Sequence, residues 1–237
     1  MVKRAGGESL AVAVYEQVRS AILNSGELLP GQRLKPADLS GRYGVSLSVV
    51  REALGMLAAK GLVRIDRNRG FHVTPLTEET LADVTEARLI NEGAAVRLSV
   101  QRGDVSWESE VLAAHHRLAS QPLFLPGDPP PRNDEWAQAH IEFHHALIKA
   151  CGNPILLDIC ARLTDTAELY RAWSAAGTRH VHRDVAAEHR GLLEAALARD
   201  ADLAVARFEA HVTRTGQILS SFGLPAADGE PTSGAAS

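Results

Sequence analysis

One stretch constrains the fold of this chain more than any other. It runs from Ser46-Leu47-Ser48-Val49-Val50-Arg51-Glu52-Ala53-Leu54-Gly55 through Met56 to Ala59 and then directly into Lys60-Gly61-Leu62-Val63. Ser46 is suited to cap a helix through its side-chain oxygen, and Gly61 to end one in the left-handed conformation. Between them Val49, Val50, Ala53, Leu54 and Leu57 recur at helical spacing and predict one buried stripe. The opposite face carries Leu47, Ser48, Arg51, Glu52 and Gly55. Upstream, Pro36 fits the first turn of a short helix ending at Tyr43, and Gly44-Val45 makes a tight turn between the two. An earlier helix over Ser9 to Ser25 places Leu10, Val14, Val18 and Ile22 four apart, before Pro30-Gly31 breaks the chain. Downstream, Val63, Ile65, Phe71 and Val73 flank Asp66-Arg67-Asn68-Arg69-Gly70, a hairpin with a basic tip. The pattern predicts a winged helix-turn-helix.

Such a unit points to double-stranded DNA. Ser46, Leu47, Ser48 and Arg51 are placed to face base edges. Arg64, Arg67, Arg69 and Gly70 of the wing are placed to meet phosphates or the minor groove. Charge is divided accordingly: residues 1–75 hold 11 Lys/Arg against 6 Asp/Glu, a formal +5, and the remainder holds 14 against 23, a formal −9. A +5 head is modest for a polyanion, so useful affinity calls for two copies acting together. A homodimer on a palindromic or near-palindromic operator is the expectation.

The 237 residues leave room for a second domain. We expect a DNA-binding unit over 1–75, a helical unit over 76–222 and a disordered Ala/Gly/Ser/Pro-rich tail over 223–237. The join Thr74-Pro75-Leu76-Thr77 is short, with Thr77 able to cap the next helix. The chain shows neither a signal peptide pattern nor a long apolar run, so a cytoplasmic protein without membrane contact is expected. Its two cysteines, Cys151 and Cys160, lack metal-site spacing and are expected to be buried free thiols.

From Thr77 the chain predicts helices over 77–102, 105–120, 134–151, 154–175, 179–199 and 201–222, an antiparallel six-helix bundle. The fold class is thus mainly α. Between Gln121 and Arg132 the prolines forbid helix and predict a surface loop with an apolar anchor. His140 and His144 stand four apart, on one helical face, while His189 and His211 each fall on a later helix. Spacing alone leaves two readings open: a shared metal site, or separate solvated and core histidines. Arg162, Tyr170 and Trp173, at spacings of eight and three, suit either a pocket wall or an interface. Arg88 suits either a carboxylate contact or an ion pair.

These residues together resemble the GntR family of bacterial regulators. The resemblance rests on Pro30-Gly31, Leu39-Ser40, Gly44-Val45-Ser46, Val50-Arg51-Glu52-Ala53-Leu54, Gly61-Leu62-Val63 and Arg69-Gly70-Phe71. The later residues resemble its FadR-type subfamily with an all-helical effector domain, the FCD domain. The resemblance implies a ligand-responsive transcription regulator, with repression as the expected mode, and no enzyme activity. It also implies a metal centre at His140, His144, His189 and His211, with His140 standing where the subfamily commonly has Asp. Four nitrogen ligands favour zinc, with nickel second. A small carboxylate effector would meet the centre, with Arg88, Arg162, Tyr170 and Trp173 as its further contacts. Leu47 stands where the family usually carries Arg, which leaves the operator sequence open. Alternative readings are a metal sensor with the ion as signal, and a metalloenzyme, against which stands the lack of a general base beside the histidines.

Overall fold

The computed structural model describes residues 9–23, 27–67, 69–128, 130–178, 183–222 and 224. Helix α1 (Leu10–Leu23) is followed by strand β1 (Arg33–Leu34), α2 (Pro36–Tyr43), α3 (Leu47–Ala59), β2 (Val63–Asp66) and β3 (Gly70–Val73). The helix ends follow local chemistry. Ser46 accepts from the N–H of Val49 to start α3, and Gly44, at φ 66°, ends α2 while its N–H returns to Ser40 O. Gly61, at φ 74°, turns the chain out of α3. Val14, Val18, Leu39, Tyr43, Val50, Leu54 and Leu57 meet in one hydrophobic cluster, closed from below by Val63 and Val73.

The sheet has three strands in the order β1-β3-β2, with Leu34 opposite Phe71 and Val63 opposite Val73. The sequence predicts only the wing hairpin. Two residues are too few for any alternation to register, although Leu34 is buried. Ile65 is 59% exposed on the wing.

Six helices follow: α4 (Glu78–Arg102), α5 (Val105–Ala119), α6 (Asp134–Ile148), α7 (Pro154–Thr178), α8 (Val185–Leu197) and α9 (Ala201–Ser220). The long α4 packs against α7 and α9, and α5 against α6 and α8. Their shared core holds Val96, Val100, Trp107, Phe143, Leu147, Leu192 and Phe208. Two boundaries differ from expectation. After Ile148 the chain tightens into a 3-10 turn, Lys149–Cys151, ahead of the left-handed Gly152. Helix α8 starts at Val185, where Asp184 accepts from the N–H of Ala187 and caps it, and residues 179–182 of the expected span lie outside the described residues.

The reading head is not sealed off from the bundle. Its hydrophobic cluster also takes in Leu81 of α4, Leu169 and Tyr170 of α7, Leu219 of α9, and Leu224. Thr77 caps α4 as expected, accepting from the N–H of Thr80 at 3.1 Å. Lys60, at the end of α3, lies 3.8 Å from Asp165 of α7. Leu224, expected to belong to a disordered tail, is buried at 8% exposure, and the rest of that segment lies outside the described residues. Cys151 and Cys160 are free and buried, and burial together with nearby Glu92 pushes the Cys160 thiol up to about 12. No described helix is long and apolar enough to cross a membrane.

Candidate metal centre and nucleic-acid interface

The four histidines expected to meet do so. Helix α6 is positioned by Asn133, whose side-chain oxygen accepts from the N–H of Glu135 at 3.0 Å, and it turns His140 and His144 inward. Helix α8 contributes His189 and α9 contributes His211, and all four are at most 6% exposed. One ligand atom from each can be chosen so that all lie within 4.8 Å of one another. The rings of His140 and His144 are 4.5 Å apart edge to face, and Trp136 stacks on His140 at 4.8 Å.

Hydrogen bonding singles this group out. Nδ1 of His140, both ring nitrogens of His144 and Nε2 of His189 are buried with no hydrogen-bond partner among the described residues. Each such orphan costs roughly 1–3 kcal/mol when nothing else satisfies it, so four in one spot indicate a common ligand. Burial first, then mutual repulsion among the imidazoles, holds His140, His144 and His189 well below the usual histidine range. Neutral imidazoles are the form that ligates a cation. The donor set therefore fits a divalent metal.

An acidic residue does reach the centre, one bond further out. His211 Nδ1 donates to Glu188 Oε2 at 2.7 Å, which leaves Nε2 as its ligand atom. Arg183 donates to Glu188 Oε1 at 2.8 Å, to Thr215 Oγ1 at 3.0 Å and to the carbonyl of His211 at 3.0 Å. Burial alone would raise the Glu188 carboxyl, yet the bonds from Arg183 and His211 outweigh it and bring the group down to about 2. His211 falls to about 4, because burial outweighs the pull of Glu188. A carboxylate behind a ligating histidine orients the ring and raises its basicity. Glu188 is thus the carboxylate that stands behind the cluster, through His211.

Beside the histidines lies a cavity of about 120 Å³, lined by His140, His211, Trp136, Arg132, Arg171 and Arg183, with Phe124, Ile218 and Leu219 among its apolar walls. The loop before α6 closes over it. Phe124 and Arg132 form an isolated antiparallel bridge, and Asn133 donates through its side chain to Pro122 O at 2.8 Å. Arg132 pairs with Glu168 of α7 and also donates to the carbonyl of Leu23 in α1 at 3.5 Å. Arg171 reaches the other oxygen of Glu168 through Nε at 2.9 Å.

The expected effector contacts sit differently. Arg88 is buried beside the centre but bonds its own helix neighbour Glu92 through two contacts of 2.8 and 3.0 Å. The Arg162 side chain is 56% exposed and pairs with Asp158, Trp173 is 39% exposed, and Tyr170 is buried against Thr77. None of these four lines the cavity. From α7 it is Arg171 and Ser174 that line it. The signal available was the polar series Thr164, Glu168, Arg171, at spacings of four and three, on a helix whose next face is apolar. His180 and His182, further candidates for lining the site, lie outside the described residues.

At the other end of the molecule Ser46, Leu47, Ser48 and Arg51 are all exposed along the first turns of α3, as are Arg64, Arg67 and Arg69 of the wing. Ser46 and Ser48 hydroxyls are 2.8 Å apart, and Leu47 is 48% exposed with no apolar cover. A side chain at Gly55 would meet nothing within 4 Å, so this face of α3 is open along its length.

The model described as "Bacterial regulatory proteins, gntR family" matches residues 10–73, and the FCD domain matches residues 83–214. The chain belongs to the GntR family. It is 37% identical over 216 residues to the uncharacterized HTH-type transcriptional regulator BphR of Paraburkholderia xenovorans strain LB400, covering 91% of this chain and 87% of that one. It is 33% identical over 196 residues to the HTH-type transcriptional repressor GlaR of Escherichia coli K12, covering 78% and 84%. Among solved structures, E. coli McbR/YncC matches with a TM-score of 0.70 at 20% identity, over 91% of this chain and 99% of that one. A GntR-type regulator from Rhodococcus sp. RHA1 matches with a TM-score of 0.69 at 25% identity, over 91% and 100%. As a GntR protein with an FCD domain, the chain is a DNA-binding transcription regulator and not an enzyme. Glu142, the carboxylate between the two α6 histidines, is half-buried and bonds Gln138 and Arg117.

Proposed function

We propose that this GntR regulator is a dimeric repressor whose helical domain, over 76–222, holds a divalent metal and senses a small carboxylate beside it. The observation that carries this reading is the set of four buried imidazoles with unsatisfied nitrogens, opening on a cavity lined by three arginines. His140, His144, His189 and His211 would hold zinc, or nickel as second choice. When bound, such an ion supplies a fixed positive charge that attracts an anion. Repression follows the printed function of the relatives GlaR and NanR.

Coupling to DNA runs through contacts already described. Arg132 touches the cavity, Glu168 and the end of α1, and Lys60 at the end of α3 faces Asp165 on the same helix α7. An effector that binds two arrangements of these contacts unequally shifts the spacing of paired reading heads. Ser46, Leu47, Ser48 and Arg51 would read base edges and Arg64, Arg67, Arg69 and Gly70 would meet the backbone, on an operator with twofold symmetry. A second reading, an ion-sensing regulator, draws on the four protein ligands, which suffice to fill a tetrahedral shell.

The test is metal analysis of the purified protein followed by operator-binding titrations with small carboxylic acids, before and after chelation. Release of DNA by an acid only in the metal-loaded protein supports the first reading. Release that tracks metal alone, with every acid silent, transfers the case to the second.

A further inference from the structure

Charges around the small cavity do not balance. Arg132 and Arg171 share one carboxylate, Glu168, each using one of its oxygens, while Arg183 has Glu188 and Arg88 has Glu92. Four arginines thus face three carboxylates in the interior. The side chains of Arg132, Arg171 and Glu168 are only 9%, 14% and 4% exposed, so water screens little of the surplus. Arg171 Nη2 lies 2.8 Å from Glu168 yet makes no properly angled hydrogen bond. Burial first, and then the neighbouring Arg88, pull the Arg171 guanidinium down to about 9, as expected of a cation short of counter-charge. Neutral imidazoles offer no compensation.

A larger cleft of about 530 Å³, on the other side of His144, makes the comparison. Its charges are matched: Lys60 with Asp165, Lys149 with Glu110, Arg117 with Glu142, and Glu92 with Arg88. That cleft presents no surplus of either sign. Of these two clefts, the small cavity is the one that carries the surplus.

We propose that Arg132 and Arg171 form a second anion subsite, so that the ligand of this cavity is a small dianion, a short-chain dicarboxylate with one carboxylate at the histidine cluster and the other on the guanidinium pair. The proposal rests on the metal-and-carboxylate reading above and narrows its ligand class. Size agrees with it: about 120 Å³ is well under the roughly 300 Å³ at which drug-sized sites begin. Phe124, Ile218 and Leu219 supply apolar surface for a few methylene groups. A guanidinium can engage a carboxylate through two parallel N–H bonds, which makes Arg171, with donors to spare, the natural anchor.

The test uses the full-length, zinc-loaded protein and isothermal titration with succinate, glutarate and adipate against butyrate and valerate. At least one dicarboxylate is expected to bind roughly ten- to a hundredfold more tightly than the monocarboxylates, the margin of charge-assisted hydrogen bonds. Arg171→Gln is expected to erase that margin, bringing dicarboxylates and monocarboxylates to the same affinity. Glu168→Gln is expected to widen it, since both guanidiniums then lack their shared counter-ion. Should Arg171→Gln fail to fold, the wild-type comparison and Glu168→Gln decide the matter. Equal, metal-dependent binding of mono- and dicarboxylates overturns the second subsite and leaves the broader reading standing. Binding of no acid at all overturns both.

Discussion

The hydroxyl of Tyr170 holds both backbone groups of Thr77, donating to its carbonyl at 3.0 Å and accepting from its N–H at 3.3 Å. Thr77 is the residue where the reading head ends and α4 begins, so one side chain of α7 clamps the join from inside. Tyr170→Phe leaves the buried Thr77 groups without that partner and is expected to destabilise the protein by about 1–3 kcal/mol. Urea denaturation of the two proteins measures the difference, and a change below about 0.5 kcal/mol would show that water replaces the hydroxyl.

Metal binding and DNA binding are expected to separate by mutation. His144→Ala combined with His189→Ala removes two of the four ligands, and the purified variant should contain no stoichiometric metal while still folding around both hydrophobic clusters. Arg51→Ala should keep its metal and lose DNA affinity by roughly tenfold or more, in line with about 1–3 kcal/mol for a base-edge arginine. Retention of a full metal complement by the double variant would remove the histidines from the site.

Glu188→Gln keeps the hydrogen-bond geometry to His211 but removes the charge behind it. Loss of a carboxylate that orients a ligating histidine typically lowers metal affinity 10- to 100-fold. Competition against a chromophoric chelator reads the shift, and an unchanged affinity would make the pair with Arg183 a purely structural contact.

Acid is expected to destabilise the metal-free protein in two windows. In the unfolded chain His211 takes up a proton near 6.5, whereas in the fold it does so only at about 4. The unfolded state therefore binds more protons between these values, and stability falls as pH drops from 6.5 towards 4. Glu188 adds to the loss lower down, from its ordinary 4.5 to about 2, because its ionised form is the one the fold holds. Melting temperatures of chelated protein across this range should fall monotonically, and a flat profile above pH 4 would mean the histidines are hydrated in solution.

Leu47→Arg is expected to restore a guanine preference at the base facing the start of α3. The present side chain is half exposed and apolar, suited to a thymine methyl and unable to donate to guanine. Selection from a randomised operator pool, run on both proteins, should show the change at one position per half-site.

Periodicity carried most of the architecture. The stripe Val50, Ala53, Leu54, Leu57 and the cap Ser46 mark α3 without ambiguity, and α4 to α9 are long enough for their patterns to dominate. Strand β1 escaped because pairing with β3, and not any local preference, makes two residues a strand. Spacing placed His140 and His144 on one helical face, while the joining of His189 and His211 to them was implied by the family resemblance and not by any period. The arginines were legible by neither route. Arg132 lies in a proline-rich segment with no period, and its role depends on Glu168 and Leu23, which are remote in sequence. On α7, aromatic residues drew attention to Tyr170 and Trp173, while Arg171, paired with Glu168, is the residue that lines the cavity. Which face of a long helix turns inward depends on what packs against it, and that is tertiary information.

The loop over the cavity is tied at its base by Asn133 and by the bridge between Phe124 and Arg132, and its other described residues contribute to neither hydrophobic cluster. Cavity-facing positions such as Leu123 and Phe124 are therefore free to vary without disturbing the helices that hold the four histidines. In a lineage of related regulators this arrangement would let ligand preference change through the loop while three helices keep the four histidines in place.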